Sequence, residues 1–272
     1  MKKYDLTVSI VLFKSNPDIV GQAIESVYKS KLNFKLYLID NSPTDELKSL
    51  KKDERTEYIF NNKNLGFGKA HNISLKKAIT ESHYHLVLNP DIYFGENVLE
   101  DLFKYMEENK SVGQVMPKIL YPDGTVQHLC KLLPTPVDLI LRRFFPWGMQ
   151  ERNKRYELID SGYNKIMNIA YLSGCFMFIR SESLKTVGLF DEAIFMYIED
   201  ADLTRRIHQH YQTIFYPHVQ VYHYYAKGSY KNFKLMLYNI HGAFIYFTKW
   251  GWVFDRERRK INQRIVNEYL IN

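Results

Sequence analysis

The sequence has little cysteine and no long apolar run. Its two cysteines, Cys130 and Cys175, stand far apart in 272 residues and lack metal-ligand spacing, which favours a reducing compartment over a disulfide framework. No stretch of about 20 uninterrupted apolar residues is present, so we expect no membrane-spanning helix. The first apolar segment is too short and too alternating for a signal peptide. These absences predict a cytoplasmic protein.

The sequence also lacks the glycine-rich loops of two large enzyme classes. The first strand-like segment, residues 6–13, is followed by Lys14-Ser15-Asn16-Pro17, which contains no glycine. Nicotinamide-binding domains need glycines in that turn, and P-loop enzymes need them ahead of a lysine. Dehydrogenases are therefore disfavoured, as are nucleotidyltransferases that make sugar nucleotides. No recognised nucleic-acid-binding motif occurs, and we predict no nucleic-acid partner.

Positive charge and aromatic residues are what the sequence has in excess. The net charge is +7, with much of the excess in the last third of the chain. Such a balance suits phosphate-bearing ligands or an anionic membrane surface. The 21 Tyr and 17 Phe residues bring the aromatic content to 15%. Aromatic side chains serve in sugar-stacking sites, interfaces, membrane-surface belts and ordinary cores, and composition alone leaves these open.

The hydrophobic pattern predicts an α/β fold. Strand patterns alternate with helix patterns, the strands at residues 6–13, 36–39, 58–60 and 84–88 and the helices at 17–28, 67–80 and 96–108. Repeated βαβ units predict a Rossmann-like, mostly parallel central sheet flanked by helices. A turn at residues 121–124 predicts a hairpin between 116–120 and 126–129. We expect the aperiodic residues 130–168 to form a loop.

A series of short motifs carries a family resemblance. Their order and spacing resemble the family 2 inverting glycosyltransferases of GT-A fold, and most of all the bacterial branch that contains rhamnosyltransferases. The resemblance covers roughly residues 4–250. The motifs are residues 8–13 (VSIVLF), 39–42 (IDNS), 64–68 (NLGFG), 88–91 (LNPD), 173–175 (SGC), 187–192 (VGLFDE), 197–203 (YIEDADL), Arg206 and 221–223 (VYH).

The resemblance implies a fold, an activity and a division of the chain. The fold is the GT-A type of nucleotide-diphospho-sugar transferases. The activity is transfer of a sugar, with inversion, from a dTDP- or UDP-sugar to a hydroxyl of a glycan or lipid-linked saccharide in bacterial surface-polysaccharide (O-antigen or capsule) synthesis. Residues 1–230 would form the catalytic domain, with a donor-binding half at about 1–115 and an acceptor-binding half at about 116–230. Residues 231–272 would form a helical C-terminal extension.

The resemblance also implies a divalent metal, Mg²⁺ or Mn²⁺. A divalent ion neutralises the charge that grows on the diphosphate leaving group, and carboxylates hold the ion. Asp91, in the motif Asn89-Pro90-Asp91, is the implied ligand, and His223 matches a histidine that completes the metal site in some relatives. The more common Asp-x-Asp motif has an acid where this chain has Asn89, so the metal receives fewer protein charges. A packed core histidine is the alternative for His223.

The nucleotide is expected at three places on the same edge of the sheet. Asp40 matches the residue that contacts the nucleobase, since a carboxylate accepts a hydrogen bond from N3–H of uracil or thymine. Asn64, Gly66 and Phe67 match a loop that lies against the nucleotide, and a glycine there permits close backbone approach. Asn89 is expected beside the diphosphate, as are Lys227 and Ser229 in the loop that follows His223.

Catalysis is expected at the start of the helix that follows Tyr197. The resemblance assigns Asp200 as the general base that deprotonates the acceptor hydroxyl, and Glu199 as an acceptor-binding residue. The alternative for both is a capping role, because acidic residues in a first turn suit the helix dipole. Asp202 and Arg206, one turn apart, predict an ion pair on the helix surface.

Two questions stay open in the sequence. The apolar and aromatic residues 235–254 would pack on the catalytic domain, form a homodimer interface, or lie on a membrane surface at the inner face of the plasma membrane. The rival function is a non-catalytic nucleotide-sugar-binding subunit of a polysaccharide assembly complex. Asn89 permits that rival, and the pair Glu199-Asp200 argues against it.

Overall fold

A computed structural model of the chain describes residues 2–141, 148–224 and 233–271, with only the backbone described at 140 and 141. Lys227 and Ser229, expected near the diphosphate, lie outside the described residues. Both cysteines are buried and unpaired.

The first half of the chain forms four parallel strands in the order β3-β2-β1-β4. Their bounds are β1 Tyr4–Leu12, β2 Phe34–Asp40, β3 Thr56–Phe60 and β4 Ser82–Leu88. The strands read as near-continuous apolar runs because helices cover both faces of such a sheet. The first of these helices, α1 (Pro17–Tyr28), begins where the Asn16 side chain accepts hydrogen bonds from two backbone N–H groups. The second is α2 (Phe67–Glu81).

The second half joins this sheet through one antiparallel strand. That strand, β10 (Phe176–Arg180), lies between β4 and β6 (Val112–Leu120), and β6 pairs in parallel with β11 (Gln212–His223). The short strands β5 (Ile92–Tyr93) and β8 (Met167–Asn168) run antiparallel to β11. Strands β1 to β4, β6 and β11 therefore share one direction, and the prediction of a mostly parallel sheet is confirmed.

The direction of β10 decides what lies next to the end of β4. Because β10 runs backwards, its first residue, Phe176, pairs with Leu88 at the carboxyl end of β4. Asn89 then donates its backbone N–H to the carbonyl of Cys175 at 2.9 Å. The segment 173–175 is thus fixed beside the strand-end motif 89–91, although more than 80 residues separate them in the chain.

The remaining elements surround the sheet. The helices are α3 Val98–Glu108, α4 Gln150–Tyr156, α5 Ser181–Val187, α6 Glu199–His208, α7 Phe233–Trp250 and α8 Arg256–Tyr269, and a small separate sheet pairs β7 (Cys130–Lys131) with β9 (Tyr171–Leu172). The predicted loop at 130–168 was wrong in part, since it contains α4, β7 and β8. The predicted hairpin strand at 126–129 was also wrong. In the described structure, a single bridge joins Leu120 to Val126 after the turn. The returning chain makes one more backbone hydrogen bond to β6, from the Gln127 N–H to the Ile119 carbonyl, and then moves away from that strand.

The last part of the chain forms the helices α7 and α8, which are separated at Gly251, where φ is 101°. One face of α7 is buried against the rest of the protein through Gly242, Ala243, Tyr246 and Phe247. The opposite face exposes an apolar stripe, with Phe233, Leu237, Ile240 and Phe244 at 71, 49, 37 and 58% exposure. Packing against the rest of the protein therefore accounts for only one face of α7. Among the described residues, no helix is both long and apolar enough to cross a bilayer.

Arg205 on α6 is the centre of a buried ion cluster that attaches the extension. Its guanidinium, 1% exposed, donates to both carboxylate oxygens of Asp255 at 2.7 and 2.9 Å and to Glu257 at 2.9 Å. The ring of Trp250 lies 4.0 Å from the same guanidinium. Burial raises the pKa of Asp255, but the hydrogen bonds from Arg205 and Arg258 and the positive charges of both arginines together bring that pKa below its ordinary value.

The predicted ion pair between Asp202 and Arg206 forms at 2.9 Å, but its expected place on the helix surface was wrong. Asp202 is fully buried, because α7 covers this face of α6. Its carboxylate also accepts hydrogen bonds from Lys249 at 3.0 Å and from the indole N–H of Trp250 at 2.8 Å. The face of α6 that points away from the sheet edge is thereby tied to the extension.

We expect Asp255→Asn to lower the free energy of unfolding by about 3 kcal/mol, because it leaves a buried guanidinium without its full charge partner. The asparagine keeps a side-chain oxygen for the cap of α8, so the loss reports the ion pair. The loss should shrink as the pH falls below about 4, because the carboxylate of the unfolded chain takes up a proton there, whereas the folded protein, in which the pKa of Asp255 is lowered, resists it.

Urea denaturation at pH 7 and pH 3.5 measures both effects. Glu182→Gln is the matched control, since its pair with Lys185 joins two exposed side chains and should contribute less than about 0.5 kcal/mol. Equal losses in the two variants would show that the cluster does not hold the extension.

Candidate active site

Asp40 ends β2 with a buried carboxylate. Its two oxygens accept hydrogen bonds from the Ser42 backbone N–H at 2.8 Å and from the Tyr58 hydroxyl at 2.6 Å. Ser42 in turn lines a cavity of about 340 Å³ at the carboxyl ends of β1 and β2. Asp40 therefore orders the turn beside that cavity, and direct contact with a base requires the Tyr58 hydroxyl to turn away.

The loop before α2 is held by asparagine side chains. Asn41 donates to the Gly66 carbonyl at 3.1 Å and accepts from Asn61 at 2.9 Å, while Asn64 accepts from the Gly66 N–H at 2.9 Å. Gly66 has φ at 83°, and a Cβ there would lie 2.2 Å from the carbonyl oxygen of Phe195. Only glycine permits this approach. The loop is thus clamped against the segment that leads into α6.

The strand-end motif contacts His223 at the end of β11. Nε2 of His223 lies 3.2 Å from Oδ1 of Asp91 and 3.5 Å from the side-chain nitrogen of Asn89. Gln127 donates its amide N–H to the His223 backbone carbonyl at 2.8 Å, so its amide oxygen faces Nδ1 at 2.9 Å. A backbone carbonyl only accepts, which fixes this amide orientation and places a proton on Nδ1. The lone pair of neutral His223 is then on Nε2, toward Asp91.

The side chains of Asp91 and His223 are chemically suited to a divalent cation that takes most of its ligands from elsewhere. Among the described residues, no group of three or more His, Cys, Asp or Glu side chains converges on one point. A separation of 3.2 Å between the Asp91 oxygen and the His223 nitrogen matches neighbouring corners of an octahedron with bonds of about 2.1 Å. Mg²⁺ commonly takes one or two protein ligands and draws the rest from water and substrate phosphates. The chemistry of the pair therefore fits such an ion.

The turn before α6 is strained. Tyr197 and Ile198 have φ at 73° and 70°, a left-handed conformation that costs roughly 1–3 kcal/mol for each such residue. For a β-branched residue such as Ile198 this is rare. The turn aims the first residues of α6, Glu199 and Asp200, into the space at the end of β4.

Two backbone N–H groups hold the Asp200 carboxylate in place. Its Oδ2 accepts the Gly174 backbone N–H and its Oδ1 accepts the Ala201 N–H, both at 2.8 Å. A Cβ on Gly174 would lie 2.9 Å from the Cβ of Asp200, so a larger residue there would displace the carboxylate. Burial raises the pKa of Asp200, while Lys131 and the two N–H groups oppose the rise.

Glu199 differs from its neighbour in having almost no support. It is 5% exposed, and no described residue hydrogen-bonds to its Oε2. Burial, followed by the negative charge of Asp200, raises the pKa of Glu199 well above its ordinary value. Two adjacent carboxyls with different environments are a common basis for separate roles. Burial and the neighbouring charge both disfavour ionisation of Glu199, whereas Lys131 and two backbone N–H groups favour ionisation of Asp200.

One cavity of about 350 Å³ collects most of the expected residues. Phe67, Asn89, Glu199, Asp200 and His223 all line it. Asp91 borders it through His223, whereas Asp40, Asn64 and Gly66 lie outside its lining. Asp200 therefore faces the same space as the residues at the end of β4.

Cys175 also lines this cavity, but as a thiol. Burial raises the pKa of Cys175 to about 12, so the side chain stays protonated and has no thiolate to offer as a nucleophile or metal ligand. Its backbone carbonyl, which holds the N–H of Asn89, is its contribution to the site.

The sequence analysis missed five residues that shape the site. Asn41 and Asn61 directly follow β2 and β3, so the rule that ligands lie at the carboxyl ends of parallel strands could have found them. Tyr58 could have been suspected only from its place on the strand that borders Asp40. Nothing in the sequence singles out Gln127 or Lys131, since both lie in the part of the chain after β6 that shows no clear period.

Comparison with known proteins agrees with this architecture. The structure of GalNAc-T7 with UDP, GalNAc and Mn²⁺ superposes with a TM-score of 0.64 at 17% sequence identity, over 82% of this chain and 43% of that one. The chain thus spans less than half the length of that structure. The likeness confirms the GT-A type fold predicted from the sequence.

Two curated relatives are rhamnosyltransferases. The N-acetylglucosaminyl-diphospho-decaprenol L-rhamnosyltransferase of Mycobacterium tuberculosis is 26% identical over 211 residues, which is 71% of this chain and 67% of the relative. Rhamnosyltransferase WbbL of Escherichia coli K12 is 26% identical over 204 residues, 73% of this chain and 75% of the relative.

The sequence matches the family described as Glycosyl transferase family 2 over residues 7–188. The matched residues begin within β1 and include β2, β3, β4, β6 and β10. They also include the Asn89-Pro90-Asp91 motif that follows β4. It extends over well more than half of the chain, and the protein therefore belongs to glycosyl transferase family 2.

Proposed function

We propose that the protein transfers a sugar, with inversion, from a dTDP- or UDP-sugar to a hydroxyl of a glycan or lipid-linked saccharide in bacterial surface-polysaccharide (O-antigen or capsule) synthesis. One observation carries the proposal: Asp200 lines the same cavity as Asn89 and His223, so a base faces the end of β4. The named activities of the two rhamnosyltransferase relatives support rhamnose as the first candidate sugar.

The donor is held at the ends of β1, β2 and β4. The pyrimidine lies against the turn at Asp40 and the loop at Asn64 to Phe67, and the diphosphate reaches the pair Asp91 and His223. A Mg²⁺ or Mn²⁺ ion bound there would neutralise charge on the departing diphosphate. The Mn²⁺ in the GalNAc-T7 structure supports this cofactor.

The acceptor enters from the side of α6. Asp200 takes the proton of the acceptor hydroxyl as that oxygen attacks the anomeric carbon from the face opposite the diphosphate, which inverts its configuration. The N–H groups of Gly174 and Ala201 fix the orientation of the Asp200 carboxylate before the acceptor binds. Glu199, which retains its proton, donates a hydrogen bond to a second acceptor oxygen.

The division of the chain supports separate binding of the two substrates. Residues 1–115 supply the donor turn, the donor loop and the end of β4, while 116–230 supply Gln127, Gly174 and α6. We propose that the exposed apolar stripe of α7 (Phe233, Leu237, Ile240, Phe244) lies on the inner face of the plasma membrane, with a homodimer interface as its alternative use.

We expect Asp200→Asn to lower the rate of transfer by about 10²- to 10⁴-fold while binding of the nucleotide donor stays within twofold, because the amide cannot take the proton. Glu199→Gln should chiefly raise the KM for the acceptor. Radiolabelled sugar transfer and calorimetric donor binding measure the two effects. A parallel loss of donor binding in Asp200→Asn would sink the base assignment, and an inactive wild type that still binds donor would favour the non-catalytic subunit.

We expect UDP or dTDP, but not GDP, ADP or NAD, to bind more tightly when Mn²⁺ or Mg²⁺ is present, and Asp91→Ala to remove that metal-dependent gain. Gln127→Leu should weaken Mn²⁺ binding by about 10- to 100-fold, because it frees the His223 ring to turn and take the wrong tautomer. Calorimetry and electron paramagnetic resonance of Mn²⁺ give the affinities. Gln220→Leu, at an exposed position of β11, the strand that ends at His223, is the control. Unchanged Mn²⁺ affinity in Gln127→Leu would remove His223 from the metal site.

We expect the acid limb of the pH–rate profile to lie above the ordinary aspartate pKa of about 3.9, since burial raises the pKa of Asp200 and the base works only when deprotonated. Activity is thus lost as the pH falls. Lys131→Gln should move this limb to still higher pH, because the lysine charge lowers the Asp200 pKa. An unmoved limb, measured as kcat at saturating acceptor, would mean that another group limits the rate.

A further inference from the structure

A second, larger cavity adjoins the candidate active site. It measures about 850 Å³ and lies between α4, α8 and the turn that joins α7 to α8. Asp138 and Tyr156 line both this cavity and the 350 Å³ cavity that contains Asp200. A ligand longer than one sugar can therefore occupy both spaces at once. We call the larger space the arginine cavity, after the lining residues Arg152, Arg155, Arg256, Arg258 and Arg259.

Two of these arginines are engaged within the protein. Arg152 binds the carboxylate of Asp138 at 2.7 Å, and buried Arg258 donates to several backbone carbonyls, among them Pro134 and Gly251 at 3.2 and 3.3 Å. Asp255, the other acid in the lining, is held by Arg205. The carboxylates of the cavity are thus already neutralised by other partners.

The other three arginines, Arg155, Arg256 and Arg259, are exposed. Within the described part of the chain, their guanidinium groups form no hydrogen bond or ion pair. Three like charges around one concave surface repel each other, and a polyvalent anion between them relieves that repulsion. A guanidinium presents a planar pair of N–H donors that matches phosphate oxygens. The amide of Gln263, which lines the same cavity, adds an uncharged donor.

The rim of the cavity is apolar. Val253, Phe254 and Ile271 line it and are 74, 94 and 63% exposed. Inorganic phosphate offers these side chains nothing to contact, and a nucleotide offers them only its base. A hydrocarbon chain attached to the anion does, since apolar side chains beside arginines are typical of segments that meet lipid.

We propose that the arginine cavity binds the diphosphate of a prenyl-diphosphate-linked saccharide. The prenyl chain leaves over Val253 and Phe254, and the saccharide enters the smaller cavity toward Asp200. The assignment of this ligand as the acceptor rests on the proposed function, whereas the binding of a prenyl diphosphate does not. Arg155 on α4 and the pair Arg256 and Arg259 on α8 hold the diphosphate from opposite walls.

The test is calorimetric titration of the full-length protein with geranyl diphosphate in EDTA, where metal-dependent binding at Asp91 is suppressed. Arg256→Gln/Arg259→Gln should weaken the Kd at least tenfold, about 1.4 kcal/mol. Arg155→Gln, from the opposite wall, should weaken it as well. Lys104→Gln/Lys260→Gln removes the same charge at exposed positions outside the cavity, one of them on α8, and should stay within twofold. Circular dichroism checks that each variant is folded.

Equal affinity of wild type and both arginine variants for geranyl diphosphate would overturn the proposal. So would a loss confined to vesicles of phosphatidylglycerol, which would assign the cavity to a phospholipid headgroup. Binding of UDP and dTDP with Mn²⁺, measured on the same proteins, separates the two hypotheses. Failure there with intact geranyl diphosphate binding would refute the proposed donor and leave the arginine cavity standing.

Discussion

The site depends on how the turn at Tyr197 and Ile198 is held. Two consecutive residues with positive φ do not persist unless their surroundings impose that conformation. On the donor side, Phe67 donates its N–H to the Phe195 carbonyl at 2.9 Å, and the absence of a side chain at Gly66 admits that carbonyl. The loop expected to touch the nucleotide and the turn that leads into Asp200, the proposed base, are therefore mechanically coupled. On the proposed function, a nucleotide that orders the loop would also order the turn.

Helix α6 divides its charges between stability and chemistry. On the side that faces α7 and α8, Asp202 and Arg205 are buried, and ion pairs with Arg206, Lys249, Asp255 and Glu257 offset their cost of desolvation. On the side that faces the cavity, Glu199 is buried and no described residue hydrogen-bonds to its Oε2, while Asp200 is half-buried and accepts two backbone N–H groups. Burial raises the pKa of both carboxyls. The ion pairs on the first face hold the helix in place. The helix can therefore carry two adjacent, desolvated carboxyls on its second face.

Sequence reasoning reached the sheet and the residues at its carboxyl edge, because both follow from local pattern. The alternation of apolar runs and helix periods predicted β1 to β4, and the strand-end rule pointed to Asp40 and Asp91. What it could not reach depends on contacts between distant segments. Gln127 acts through a backbone carbonyl about 100 residues away, and Asp202 is buried only because α7 returns to cover it. The antiparallel direction of β10, which brings Gly174 to Asp200, likewise has no local signal.

In the metal site that we propose, Asn89 stands where an acid is more common, which would change how the metal is bound. Asp91 carries one negative charge, and the His223 tautomer fixed by Gln127 is neutral, so these protein ligands offset only half the charge of a divalent cation. The remaining positive charge is available to the diphosphate, which supplies further ligand oxygens. Such a site holds free metal weakly and holds metal with nucleotide strongly. By linkage each then tightens the other by the same factor. On this argument Asn89 does not disable the site but makes metal binding conditional on the donor, so that the cation stays with the diphosphate product when it leaves.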